Sequence, residues 1–231
     1  MSRSSTPQIE AYGWTHFVGL SCEQGGRWIE EYLRHAPVVD MNYECLVLLK
    51  RRRFGEASEH LRRFRERVDA VEGPDPSVRA VLERWYQAVY GYYRYCLEEY
   101  EEAEQAMILA HDAVAEAIER QPCLLPMANH CHEFRLHRAR IARNLRRWTE
   151  MQGHVDEVRA MFRGERPYCV LKDGRGIALP EIKRYYAALP ALSEGEREAV
   201  AYVLDDDVRM RDFGRFVHEL ARLPGFVIVY P

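Results

Sequence analysis

The chain has 231 residues, 47% hydrophobic and 30% charged, with a formal net charge of −3. That length can bury the core of one or two domains, and the near balance of charge offers no global basic surface for nucleic acid or an anionic membrane. The opening MSRSSTPQIE lacks the apolar run of a signal peptide and no later stretch approaches a membrane span, so a cytoplasmic protein is expected.

In chain order, Ser2 to Gln8 read as a disordered start. Ile9, Trp14, Phe17, Val18 and Leu20 then imply a segment that packs on the body, and Gly25-Gly26 interrupts it. Trp28, Ile29, Tyr32 and Leu33 fall on one face of a short helix. Residues 1–37 are therefore expected to form a capping unit, with Pro37 and Asp40 separating it from a first long helix through CLVLLKRRR. The run from Gly73 to Ser77 is the clearest loop, with Ser77 expected as the N-cap of the next helix. Gln121-Pro122 and Pro126 break the chain again.

The middle of the chain repeats itself. Phe54 in RRRFGEASEHL, Tyr100 in LEEYEEAEQAM and Trp148 in LRRWTEMQGHV recur at a nearly constant interval. Nine residues before each aromatic stands a small residue (Cys45, Gly91, Ala139), which lets paired helices approach closely. Ala57, Ala103 and Met151 follow three residues after, and Leu61, Met107 and Val155 seven after. Each aromatic thus marks a sharp corner between two helices.

At these residues the chain resembles the tetratricopeptide repeat (TPR) superfamily, most closely in LLKRRRFGEA and YYRYCLEEYEEA and less so in RNLRRWTEM. The resemblance covers residues 38–163 and implies a stack of antiparallel helix pairs. The interval is longer than the family's repeat of about 34 residues, which implies longer helices or a divergent unit. Such repeats serve mainly as binding platforms, with the first helix of each pair lining a concave groove.

Residues 164–231 change texture. Tyr168 to Leu171 and Ile177 to Leu179 read as two short strands around Asp173-Gly174. Pro180 suits the first turn of a helix reaching Leu189. Ser193 with Glu196 makes a capping box for a helix ending near Leu204. Asp205-Asp206-Asp207 precedes a third helix, and Phe226-Val227-Ile228-Val229-Tyr230 resembles a strand that would join the hairpin. The expected fold is mainly α: a TPR-like α-α superhelix with a small C-terminal α+β appendage.

The candidate site follows from the inner stripes. His130, Glu133, His137, Arg140, Asn144 and Arg147 keep a helical period opposite an expected apolar side of Phe134, Ile141, Leu145 and Trp148. By resemblance the groove would include Asn42 and Lys50 from the first pair, Tyr92 and Tyr95 from the second, and Arg140, Arg143 and Asn144 from the third. Tyrosines with arginine at one end suit a protein or peptide partner carrying carboxylates. That makes the chain an interaction module or adaptor.

Two other classes compete with that reading. His130, Glu133 and His137, at i, i+3 and i+7, form a spacing compatible with a divalent metal and hence a metal-dependent enzyme, though no H-E-x-x-H is present. The last helices, with Arg209, Arg211 and Arg215 outward, would make a DNA-binding helix-turn-helix; three aspartates at its entry oppose phosphate. The arginine runs Lys50 to Arg53 and Arg62 to Arg65 alternate with glutamates at helical spacing, which favours ion pairs within the helix over nucleic acid. No glycine-rich phosphate loop, G-x-S-x-G or paired catalytic carboxylates occur, and no cofactor is expected beyond that divalent metal. Six cysteines without a C-x-x-C pair argue against a disulfide framework or a structural zinc cluster. Cys45 and Cys96, on apolar helix faces, read as small buried hydrophobes.

Overall fold

The computed structural model describes residues 13–21, 23–71 and 75–222 and is mainly helical. Its helices are α1 (Gly13–Ser21), α2 (Glu23–Leu33), α3 (Ala36–Lys50), α4 (Phe54–Asp69), α5 (Pro76–Cys96) and α6 (Tyr100–Arg120). A 3-10 segment, Pro122–His130, leads into α7 (Cys131–Asn144) and α8 (Trp148–Phe162). Strands β1 (Cys169–Val170) and β2 (Gly176–Ile177) follow, then α9 (Leu179–Ala187), α10 (Glu194–Ala199), α11 (Ala201–Leu204) and α12 (Asp206–Arg222). Ile9 and the expected final strand at 226–230 lie outside the described residues.

Helices α3/α4, α5/α6 and α7/α8 pack as consecutive pairs joined by one and the same corner. After each first helix one residue takes the left-handed conformation: Arg52 (φ 58°), Glu98 (φ 64°) and Arg146 (φ 58°). Their amides donate to Leu49, Tyr95 and Arg143 carbonyls, and the following amides of Arg53, Glu99 and Arg147 reach back to Leu48, Arg94 and Ala142. This is a Schellman closure, which satisfies the last carbonyls of a helix. The residue that completes it is also the N-cap of the next helix, so the aromatic is its first residue. Two helices are thereby joined by three residues.

Behind the corner, Cys45, Gly91 and Ala139 are fully buried. Cys45 Sγ lies 3.9 Å from the Ala57 carbonyl, and a Cβ on Gly91 would stand 3.2 Å from the equivalent Ala103 carbonyl and 2.5 Å from Met107 Cε. The third corner differs in its aromatic. Tyr100 packs edge-on against Tyr95 at 5.8 Å, whereas Trp148 is 58% exposed, because Arg143 holds the position that Tyr95 holds in the second pair and offers no ring.

The N-terminal glycines do not interrupt the chain as expected: α2 runs through Gly25 and Gly26. A Cβ on Gly25 would fall 2.1 Å from the Val18 carbonyl, so glycine there permits the close crossing of α1 and α2. Pro37 sits in the first turn of α3 rather than before it. The N-cap of α5 is Asp75, not Ser77: Asp75 Oδ1 accepts from the Ser77 amide at 2.8 Å, while Ser77 Oγ accepts from Trp28 Nε1 at 2.7 Å. The serine hydroxyl is used to tie α2 to α5.

The C-terminal hairpin and the Ser193 cap form at their local signals, but the helix expected to run to Leu204 is broken at Val200 into α10 and α11. Cys169 pairs with Ile177 and Val170 with Gly176 in an antiparallel register, and Gly174 takes φ 84° in the turn. Ser193 and Glu196 complete their capping box, and Asp205 Oδ1 accepts from the amides of Asp207 and Val208. One continuous core nonetheless runs from Phe17 to Leu220. Tyr185 of α9 donates to, or lies within hydrogen-bond reach of, the Phe17 and Cys123 carbonyls at 3.3 and 3.2 Å, and Phe213, Phe216 and Leu220 bury one face of α12. Among the described residues no helix is long and apolar enough to cross a membrane.

Candidate functional site

The first helices of the pairs, α3, α5 and α7, carry the candidate residues Asn42, Lys50, Tyr92, Tyr95, Arg140, Arg143 and Asn144. Asn42 is buried, and its Nδ2 donates to the Trp85 carbonyl at 2.8 Å. It joins α3 to α5 instead of facing a partner. Lys50 is exposed at the end of α3. Tyr92 and Tyr95 are half-buried and stack with centroids 6.5 Å apart. Tyr95 Oη accepts from Asn144 Nδ2 at 2.9 Å, which brings α5 and α7 together on this face. Burial raises the Tyr95 phenol above its ordinary range, with Asn144 opposing, so it stays protonated at neutral pH.

The two arginines of α7 have different fates. Arg140 donates to His137 Nδ1 at 3.2 Å, and its guanidinium lies 4.8 Å over the Phe216 ring of α12. Much of its work is therefore structural. Arg143 is half-buried, and its guanidinium has no hydrogen-bond or ion-pair partner among the described residues. One residue on is Asn144 with its bond to Tyr95, and at the corner beyond stands the exposed Trp148.

Among the described residues the histidine-rich stripe does not form one compact three-ligand group. His130 Nδ1 pairs with Glu133 Oε1 at 3.1 Å, and Arg84, 3% exposed, approaches the other oxygen at 3.9 Å. Burial works to raise the Glu133 pKa, but His130, His132 and Arg84 outweigh it and hold the carboxyl well below its usual range. His137 is pushed down to about 3 by burial and then by Arg140. His130 and Glu133 meet, but among the described residues the three-ligand group whose atoms all lie within 4.8 Å of one another is Glu104, Glu150 and His154, not His130, Glu133 and His137. Arg84 is a buried cation within the apolar face between Val81 and Val89, and the half-buried Glu133 carboxylate lies 3.9 Å from it.

At the C-terminal end, Arg209 does not face outward. It is 1% exposed, donates to the Val203 and Phe162 carbonyls at 2.8 and 3.1 Å and pairs with Asp206, which also accepts from Lys183 at 2.7 Å. The first of the three arginines expected on a DNA-facing surface thus anchors α12 to the end of α8. An open cleft of about 470 Å³ lies beside it, lined by Phe162, Arg163, Lys183 and Met210, with Asp206 spanning its cations. At the N-cap of α4 Arg53 pairs with Glu56, and along the helix Arg62 pairs with Glu59 and Glu66 and Arg65 with Asp69 and with Glu83 of α5, which consumes much of the basic run. Cys45 is fully buried and its thiol is pushed up to about 12, by burial first; Cys96 is only half-buried.

Comparisons of the chain with models of known protein families, with curated proteins and with solved structures found no match in any of the three.

Proposed function

We propose that the three helix pairs are divergent TPR-like units and that the chain is a binding module which captures an acidic peptide segment at the third corner. The observation that carries this reading is the half-buried Arg143 guanidinium, which lacks a partner among the described residues, next to Asn144 and the exposed Trp148. A guanidinium held part-way out of water recognises a carboxylate bidentately, and tryptophan and arginine are among the residue types enriched at the hot spots of protein interfaces. The stacked Tyr92 and Tyr95 supply rigid apolar area beside it. Asn42 and Arg140 support the face from behind, since each is engaged within the fold.

The test is a displayed library of short peptides captured on the immobilised full chain. Peptides with Asp or Glu near an aromatic or aliphatic residue should be enriched. Arg143→Glu should lower their affinity by about 30-fold or more, the scale of a hot-spot loss. Its melting temperature should move by no more than about 2 °C, as for a surface change. Equal capture by the wild type and Arg143→Glu would remove this face from consideration.

A further inference from the structure

Away from that face, three ligating side chains converge between α6 and α8. The ligand atoms of Glu104, Glu150 and His154 all lie within 4.8 Å of one another. Glu150 and His154 stand four residues apart on α8 and so share a helix face; Glu104 comes from the second turn of α6. The His154 side chain is 9% exposed, and its Nε2 is buried without a hydrogen-bond partner. Glu150 Oε1 is 3.7 Å away, too far for a hydrogen bond. A ring nitrogen left in this condition costs free energy unless something else meets it.

The charges around it are unequal. Arg138 donates to Glu104 Oε1 at 3.0 and 2.9 Å. Arg147 lies within 3.8 Å of both Glu104 and Glu150 and 3.5 Å from Glu101, and Arg135 pairs with Glu157 at 3.2 Å. Four carboxylates thus face three guanidiniums. Burial, then Arg138 and Arg135, push His154 down to about 4, so the imidazole is neutral at neutral pH, as metal ligation requires.

We propose that Glu104, Glu150 and His154 form a binding site for a divalent transition-metal cation of the zinc class, with solvent in the fourth position. Zinc takes nitrogen and oxygen ligands at about 2.0–2.2 Å in a tetrahedron, so the three side chains close around it by small rotations. Glu104 keeps its bond to Arg138 through Oε1 and offers Oε2, and Arg147, 44% exposed, swings into water. An imidazole in the set selects against magnesium and calcium, which demand oxygen. The cation ties the second helix pair to the third by joining α6 to α8.

The full chain, freed of metal with a chelator, is titrated with zinc chloride by calorimetry and then with cobalt(II) by visible absorption. One equivalent should bind with micromolar or tighter affinity, and the cobalt form should show the intense visible bands of a four-coordinate centre. Magnesium and calcium should give no signal. Glu150→Gln should weaken zinc at least tenfold, and His154→Gln should abolish the cobalt bands. If His154→Gln does not fold, Glu150→Gln and Glu104→Gln decide the matter. His60 beside Glu44 and His111 beside Asp112 offer weaker alternatives, so equal uptake by the wild type and the carboxylate variants overturns the proposal. Absence of uptake by the wild type overturns it as well.

Discussion

Glycine at the three left-handed corner positions should stabilise the protein. Arg52, Glu98 and Arg146 hold φ of 58°, 64° and 58°, where an L side chain crowds its own backbone at a cost of about 1–2 kcal/mol. Glycine removes that cost but gives up about 0.5–1 kcal/mol of chain entropy. The difference leaves a gain of about 0.5–1 kcal/mol for each of Arg52→Gly, Glu98→Gly and Arg146→Gly. The corners belong to separate helix pairs, so the triple variant should gain roughly the sum, about 1.5–3 kcal/mol. For a chain of this size each kcal/mol is worth about 2–4 °C in melting temperature. Urea midpoints read by circular dichroism measure the gain directly. Arg51→Gly serves as the control: Arg51 precedes the corner residue with φ −86°, and glycine there should give no gain. Destabilisation by all three corner substitutions would refute the argument, since it would mean that the side chains contribute more than the backbone strain costs.

Two further outcomes follow from buried groups. Gly91→Leu should lose about 1–3 kcal/mol by overpacking, because even a Cβ would lie 3.1 Å from Ala106 Cβ and 3.2 Å from the Ala103 carbonyl; an unchanged urea midpoint would contradict the close crossing of α5 and α6. The second concerns pH. Burial depresses His132 to about 4, as it does His154, whereas the unfolded chain takes up the same protons near pH 6.5. Between those values the unfolded state holds more protons, so stability is complete above about pH 6.5 and is lost as pH falls toward about 4, by up to about 3 kcal/mol for the fully buried His132 and by less for His154. His132→Asn should flatten that slope in urea midpoints taken from about pH 7 to 4.5, and a wild-type midpoint that does not change over that range would show the histidines to be accessible to protons in the folded state.

Local chemistry was legible in the sequence wherever neighbours along the chain decide the outcome. The corner aromatics at Phe54, Tyr100 and Trp148, the Ser193 capping box and the Asp173-Gly174 turn each depend on a few adjacent residues, and each forms where its pattern lies. The small residues Cys45, Gly91 and Ala139 could be aligned for the same reason, since each stands nine residues before a corner aromatic and five before the end of its own helix.

Tertiary structure decided what each polar side chain meets. Resemblance placed Arg140 and Arg143 in one groove, yet only packing against Phe216 and His137 separates the engaged arginine from the one without a partner among the described residues. It placed His130, Glu133 and His137 on one face but could not show that Arg84, distant in sequence, would claim the carboxylate. Glu104 and His154 are fifty residues apart, and their meeting depends on how α6 lies against α8. A side chain's period belongs to its own helix, whereas its partner is chosen by the crossing of two helices, and that crossing is settled by the whole core from Phe17 to Leu220.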